Sequence, residues 1–305
     1  MKLRLALVTF AILALTAMPV AVLSQGGDDV RGAFLVSRPK EKPATTNTPP
    51  RTSRRRPKSN PTTLKDPKTT SGATPPTGST MKTPPSEGTS TGATPINKQR
   101  IGLGLTLFSR DSNGNAVRTD PGKVFQKGDG VRVLLETNTD GYIYIFNTTN
   151  NGSPVMIYPN AELDEAGNYL QAHVPFEIPS SVGTEERLRW LVFDENAGDE
   201  RLFLVFTKEP LAGVPIEDEL ISYCSGNKGC SWKPTEAVWA LVQNEASRPL
   251  KTDKAKEYGS PQTPREQQAS TRGLGLAKDD PPPSLIMMAS SNTSTLVTTL
   301  DLIHK

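Results

Sequence analysis

The stretch DGYIYIFNTTNNG, Asp140–Gly152, decides the fold class. Turn-forming residues at both ends bracket five consecutive apolar or aromatic residues, Tyr142 to Phe146. Strand side chains point alternately to opposite faces, so Ile143 and Ile145 share one face while Tyr142, Tyr144 and Phe146 share the other. A sandwich strand needs only one dry face. The aromatic side is therefore either covered by another element or left as a binding surface. The expected cover is TEAVWALVQNEA, whose Val238, Trp239, Leu241 and Val242 form a wide apolar stripe at helical spacing.

Outward from this strand, the runs LGLTLFSR, GVRVLLET, PVMIYP, YLQAHVPFEI, RLRWLVFD and RLFLVFTKE are short and rich in Val, Ile, Leu and aromatics. Each is bounded by Gly, Asn, Asp or Pro, and no helix-length segment intervenes, which favours antiparallel pairing. DSNGN and TNNG read as hairpin turns in which Gly114 and Gly152 can take positive φ. DSNGN fails as a calcium loop because its sixth position is Ala116 and its twelfth, Gly122, lacks a carboxylate. IEDELISYC and KPTEAVWALVQNEA read as helices, residues 248–272 as a flexible insertion, and SLIMMAS with STLVTTLDLI as a last strand pair. The expectation is a mainly β fold: an antiparallel β-sandwich of about seven to nine strands over residues 101–305, with a small C-terminal helical segment.

The first hundred residues differ in kind. They carry 16 Lys/Arg against 5 Asp/Glu, whereas residues 101–305 carry 19 against 27. The overall pI of 8.8 therefore describes neither part, and no nucleic-acid partner is expected. Lys2 and Arg4, an apolar run from Leu5 to Leu23, and Val22 and Ser24 ahead of Gln25 read as a signal peptide over residues 1–24. The alternative is an uncleaved membrane anchor, since the run approaches bilayer-spanning length. Pro39 to Pro95 holds 12 Pro and 15 Thr, and no Phe, Tyr or Trp lies between Phe34 and Phe108, so residues 25–100 read as a disordered linker. Its basic part, 38–68, is expected to act as a spacer or to contact anionic lipid, cell wall or the acidic domain.

Catalytic apparatus is sparse. The chain has two histidines, His173 on an expected strand and His304 next to last, and no G-x-S-x-G. GLGLTLF and GLGLAK hold only G-x-G and precede strands, so they are not phosphate loops. The acidic groups EDE and DENAGDE read as solvated turns. Cys224 and Cys230, the two cysteines, read as a structural disulfide in an exported chain, because zinc wants about four thiolate or imidazole ligands and C-x-x-C is absent. No metal or cofactor is expected. The exposed-aromatic reading nominates Tyr142, Tyr144 and Trp190 as a sugar-stacking platform.

The run from Gly102 to Pro159 resembles a bacterial family of domains of unknown function, the one numbered 4384. The shared pattern is Gly102 to Leu105, then Phe125 with Gly128 and Asp129, Asp140 to Tyr144, and Tyr158-Pro159. RWLVFDENAGDERLFLVFTKEPL and the closing LDLIHK are also similar. The resemblance implies an exported β-sandwich module and carries no catalytic residue. The functional expectation is a non-catalytic exported cell-envelope module, periplasmic or extracellular, that binds an envelope protein or polysaccharide. The alternatives are a carbohydrate-binding module using the strand aromatics, or a carboxylate-based hydrolase at Asp194 and Glu195.

Overall fold

In a computed structural model the described residues are 29–40, 100–163, 167–182, 185–227 and 229–305. The expected signal sequence and residues 41–99 lie outside them. Among the described residues, alternating apolar residues and short turns produce thirteen strands, antiparallel except where β3 meets β13. They are β1 (Gly102–Arg110), β2 (Ala116–Arg118), β3 (Val124–Phe125), β4 (Gly130–Thr137), β5 (Gly141–Thr149), β6 (Val155–Tyr158), β7 (Tyr169–Leu170), β8 (Phe176–Ile178), β9 (Leu191–Val192), β10 (Gly198–Thr207), β11 (Leu250–Lys254), β12 (Leu285–Ala289) and β13 (Thr295–His304). The excess over nine comes from two- and three-residue strands at the margins.

Sheet A runs β11-β12-β1-β4-β8, with β2 on β1 and β9 on β4; sheet B runs β3-β13-β10-β5-β6, with β7 on β5. Between them lies the main core, which takes Leu103 and Leu105 from β1, Ile143 and Ile145 from β5, and Leu204 and Phe206 from β10. Gly141 is fixed by crowding: a Cβ there would meet the Thr207 carbonyl at 2.4 Å.

The other side of β5 is covered as its pattern requires. Tyr142, Tyr144 and Phe146 join a second cluster with Leu220 of α2 (Glu217–Asn227) and Val238 and Val242 of α3 (Glu236–Ala246). Thr235 starts α3 by accepting the Val238 N–H. A Cys224–Cys230 disulfide ties the end of α2 to the next segment, whose Trp232 carbonyl accepts the Met156 N–H of β6. Phe146 meets the Trp239 ring edge-on at 6.1 Å.

The outer face of sheet A is covered too, by material read as linker. Residues 29–40 are ordered: α1 (Val30–Leu35), capped by the Asp29 carboxylate, lays Phe34 against Ile286 and Met288 of β12. The expected boundary at residue 100 thus fails for this segment, because Phe34 and Arg38 have places in the fold that composition does not reveal. Residues 248–272 are likewise structured, as β11 and as α4 (Pro264–Arg272), whose Thr263 and Glu266 form a capping box.

Other readings need local correction. YLQAHVPFEI is not one strand: β7 joins sheet B and β8 joins sheet A, with His173 at φ 57 turning the chain between them. RLRWLVFD begins in a 3₁₀ turn, Glu186–Arg189, and only Leu191–Val192 of it form a strand, β9. The last two strands are not partners, since β12 pairs with β1 and β11 while β13 pairs with β10. In TNNG the positive φ falls on Asn150 and Asn151, whereas Gly114 takes it as expected. No helix among the described residues is long and apolar enough to cross a membrane.

The buried aromatic face predicts the effect of one atom. The Tyr144 hydroxyl accepts the Leu211 N–H at 2.9 Å, and burial raises the phenol pKa. Tyr144→Phe leaves that N–H unpaired in the cluster, so chemical denaturation should show a loss of about 1–3 kcal/mol. A change within error would mean the hydroxyl is dispensable.

Candidate functional site

The sequence-nominated aromatics do not form a site. Tyr142 and Tyr144 are 4% and 0% exposed beneath α2 and α3 on sheet B. Trp190, 8% exposed, packs on the other sheet, where the Arg132 guanidinium lies 3.9 Å above its ring. The sandwich separates them, and none offers a free ring face to a sugar. The acidic turns are local as well: Asp194 accepts from the Asn196 backbone and side chain, which holds its pKa below the usual carboxylate range. Glu195 pairs with Lys127 at the surface.

Ionisable groups converge instead on the outer face of sheet A. In β4 the inward residues Val131, Val133 and Leu135 alternate with Arg132, Leu134 and Glu136. Arg132 pairs with Glu177 of β8, and Arg118 of β2 pairs with Glu266 of α4. Both pairs are buried.

The most elaborate set surrounds Glu136, 3% exposed. Arg38, itself 2% exposed, approaches it in fork geometry, Nε to Oε1 at 2.8 Å and Nη2 to Oε2 at 2.6 Å. The remaining guanidinium N–H groups reach the carbonyls of Ala277, Asp280 and Pro281. All five donors of the side chain are thereby used. His173 Nδ1 lies 2.7 Å from Glu136 Oε1, and its Nε2 lies 2.7 Å from Ser37 Oγ. A carboxylate can only accept, so Nδ1 carries the hydrogen; with a neutral ring, Nε2 accepts from the serine hydroxyl. The left-handed backbone at His173 is uncommon outside glycine and asparagine, and it aims the ring at Glu136.

Beside this socket lies an aromatic slot. Gly102 and Gly104 of β1 face outward because Leu103 and Leu105 face in. A Cβ on Gly102 would come within 2.9 Å of the Phe34 ring, and one on Gly104 within 3.1 Å. The G-x-G pattern thus serves the approach of the Phe34 ring and, at Gly104, of the still closer Pro283 at 2.4 Å, not of a phosphate. Phe34 also meets His173 edge-on at 5.7 Å. A third contact, Arg31 to Asp253 of β11, secures the start of α1.

Ser37, His173 and Glu136 have the connectivity of a nucleophile, base and orienting acid. Here, however, the carboxylate is neutralised by a buried guanidinium, which weakens its support of an imidazolium. The set works as a latch that fastens residues 29–40 to β4. Sequence reading missed it because Arg38 precedes Glu136 by 98 positions and His173 follows it by 37. The available signals were two charges on the outward positions of β4 and an aromatic one helical turn before an arginine.

The latch has a direct energetic consequence. Burial pushes the Glu136 carboxyl up, and the hydrogen bonds from His173 and Arg38, with the guanidinium charge, more than reverse this, so it titrates below its ordinary 4.5. A depressed carboxyl contributes stability that is present above the unfolded-state value and lost as pH falls through the folded one. Arg38→Ala should therefore cost about 3–5 kcal/mol at neutral pH, by stranding a buried charge. In acid the penalty should shrink once Glu136 is protonated. Urea melts of wild type and variant from pH 7 down to pH 3 measure both, and a pH-independent difference would overturn the assignment.

A family model described as "Domain of unknown function (DUF4384)" matches residues 124–210. No curated protein and no solved structure matches the chain. The matched span runs from β3 through β10, so it supplies Glu136 and His173 but neither Arg38 nor the Gly102–Gly104 slot. From β3 through β10, then, the chain is similar to the DUF4384 family.

Proposed function

We propose that the protein is an exported, non-catalytic cell-envelope module that binds a protein or polymer partner through its β-sandwich domain. The observation that carries this reading is the construction of the sheet A face. It holds a short segment by an aromatic slot and an arginine socket, the two side-chain types that dominate recognition interfaces. The apolar N-terminal run and the Cys224–Cys230 disulfide support an oxidising, exported location. Contact of residues 38–68 with an anionic membrane or cell wall stays within the proposal, in altered form. Arg38 is bound to Glu136, and the Arg100 carbonyl accepts from Asn138, so Arg38 and Arg100 both lie near the end of β4. Residues 29–40 lie against the domain and are not held away from it.

A second reading rests on the Ser37–His173–Glu136 geometry: acyl transfer with Ser37 as nucleophile. The commitment of Glu136 to Arg38 weighs against it. A fluorophosphonate probe distinguishes the two, and the expected result is no labelling of the folded protein. Labelling at Ser37 that disappears in His173→Ala would establish the hydrolase reading in its place. For the location, thiol alkylation of whole cells should leave Cys224 and Cys230 unmodified until reductant is added. Immediate modification in a cytosolic fraction would remove the exported reading.

A further inference from the structure

We infer that the outer face of sheet A is a peptide-binding groove for ligands with an aromatic residue four positions before an arginine, and that residues 29–40 are such a ligand bound in cis and exchangeable. This deepens the reading of the protein as a binding module and rests on it. The inference starts from how little of the segment is architecture. It joins neither sheet, and a backbone hydrogen bond that ties it to the domain runs from the Lys278 N–H to the Pro39 carbonyl. Its attachment is by side chains set at ligand-like intervals. Arg31 reaches Asp253, Phe34 enters the glycine slot, Ser37 meets His173 and Arg38 fills the socket.

The receptor half is organised by bonds of its own. Gly102 and Gly104 are held in register by β4 and β12. The turn that offers carbonyls to Arg38 is closed by Asp280 N–H to Ala277 carbonyl at 3.1 Å and by Ala277 N–H to the Asp280 carboxylate at 2.8 Å. Arg265 of α4 lies 3.5 Å from that same carboxylate. The His173 N–H is bonded to the Thr137 carbonyl at 2.7 Å, which keeps the ring beside Glu136. Slot and socket are therefore shaped by the sandwich, and the spacing between them selects the ligand. Guanidinium geometry is part of the selection, since three carbonyls and a two-oxygen carboxylate match a planar fork of five donors, not a lysine ammonium.

The connection permits exchange. The 59 residues from 41 to 99 separate the segment from residue 100 in the sequence, so one cut there makes it a separate peptide. The test uses the full-length protein with a site-specific protease sequence inserted between residues 70 and 80, folded and then cleaved. A fluorescent peptide of residues 28–42 is added, and its anisotropy is followed. The expected result is saturable uptake as the native fragment is displaced. Phe34→Ala or Arg38→Ala peptides should bind at least about 30-fold more weakly, and an Arg38→Lys peptide should not recover the wild-type affinity. No uptake at about 1 mM peptide, equal uptake of all the peptides, or aggregation of the domain on losing its fragment would overturn the inference and make residues 29–40 a fixed part of the core. These measurements need no envelope partner, so a failed exchange with an intact exported, partner-binding protein would refute the groove alone.

Discussion

A carboxylate buried in the middle of a sheet face must be compensated. Glu136 occupies such a place on β4, under the layer formed by residues 29–40 and 277–284. An unpaired carboxylate there would lose its charge or its burial. Arg38 and His173 meet the requirement, and doing so fixes where the N-terminal segment lies, which way the 277–281 turn points and why His173 adopts a left-handed backbone. A buried ion pair gives little net stability over an apolar pair, because both desolvation costs must be recovered. Its stronger effect is selection: with Glu136 in place, an apolar segment of the same size is a poor occupant of that face.

The two sheets solve the same problem by different means. Each has an outer face that requires cover. On sheet B the cover is apolar, with Val238 and Val242 over Tyr144 and Phe146, and the disulfide holds the end of α2 in place. Such a contact is non-directional and tolerates volume-conserving substitution. On sheet A the cover is largely directional, made of three buried ion pairs and a ring inserted between strand glycines. Directional contacts discriminate among occupants and become costly when half broken. Tolerance of apolar substitution therefore belongs to the cover of sheet B, and geometric discrimination to that of sheet A.

This division also marks what the sequence made legible. Period-two alternation in β5 identified both faces and their cover, since each partner carries its own signature in the neighbouring residues. The DSNGN turn was equally local: Asp111 accepts the Asn113 and Asn115 N–H groups and so closes its own loop. The network on sheet A is not local. Nothing beside Glu136 shows that its counter-ion lies in a proline- and threonine-rich region, and α1, six residues long, has no periodicity to reveal it. YLQAHVPFEI misled for a related reason, because a single left-handed residue sends its two halves to different sheets without disturbing the apolar pattern.

The extent of the family match sharpens the distinction between module and attachment. Residues 124–210 bring Glu136 and His173 to the sheet surface, while the arginine, the aromatic ring and the slot that receives it come from outside that span. Folded as it is here, the matched segment alone would leave Glu136 and His173 uncovered, because the layer over them, residues 29–40 and 277–284, lies outside it. Whatever segment covers this face must therefore bring a cation to the acid that it buries, in cis or in trans. The physical requirement is for a guanidinium of the right geometry at that point. It does not specify the polypeptide that delivers it.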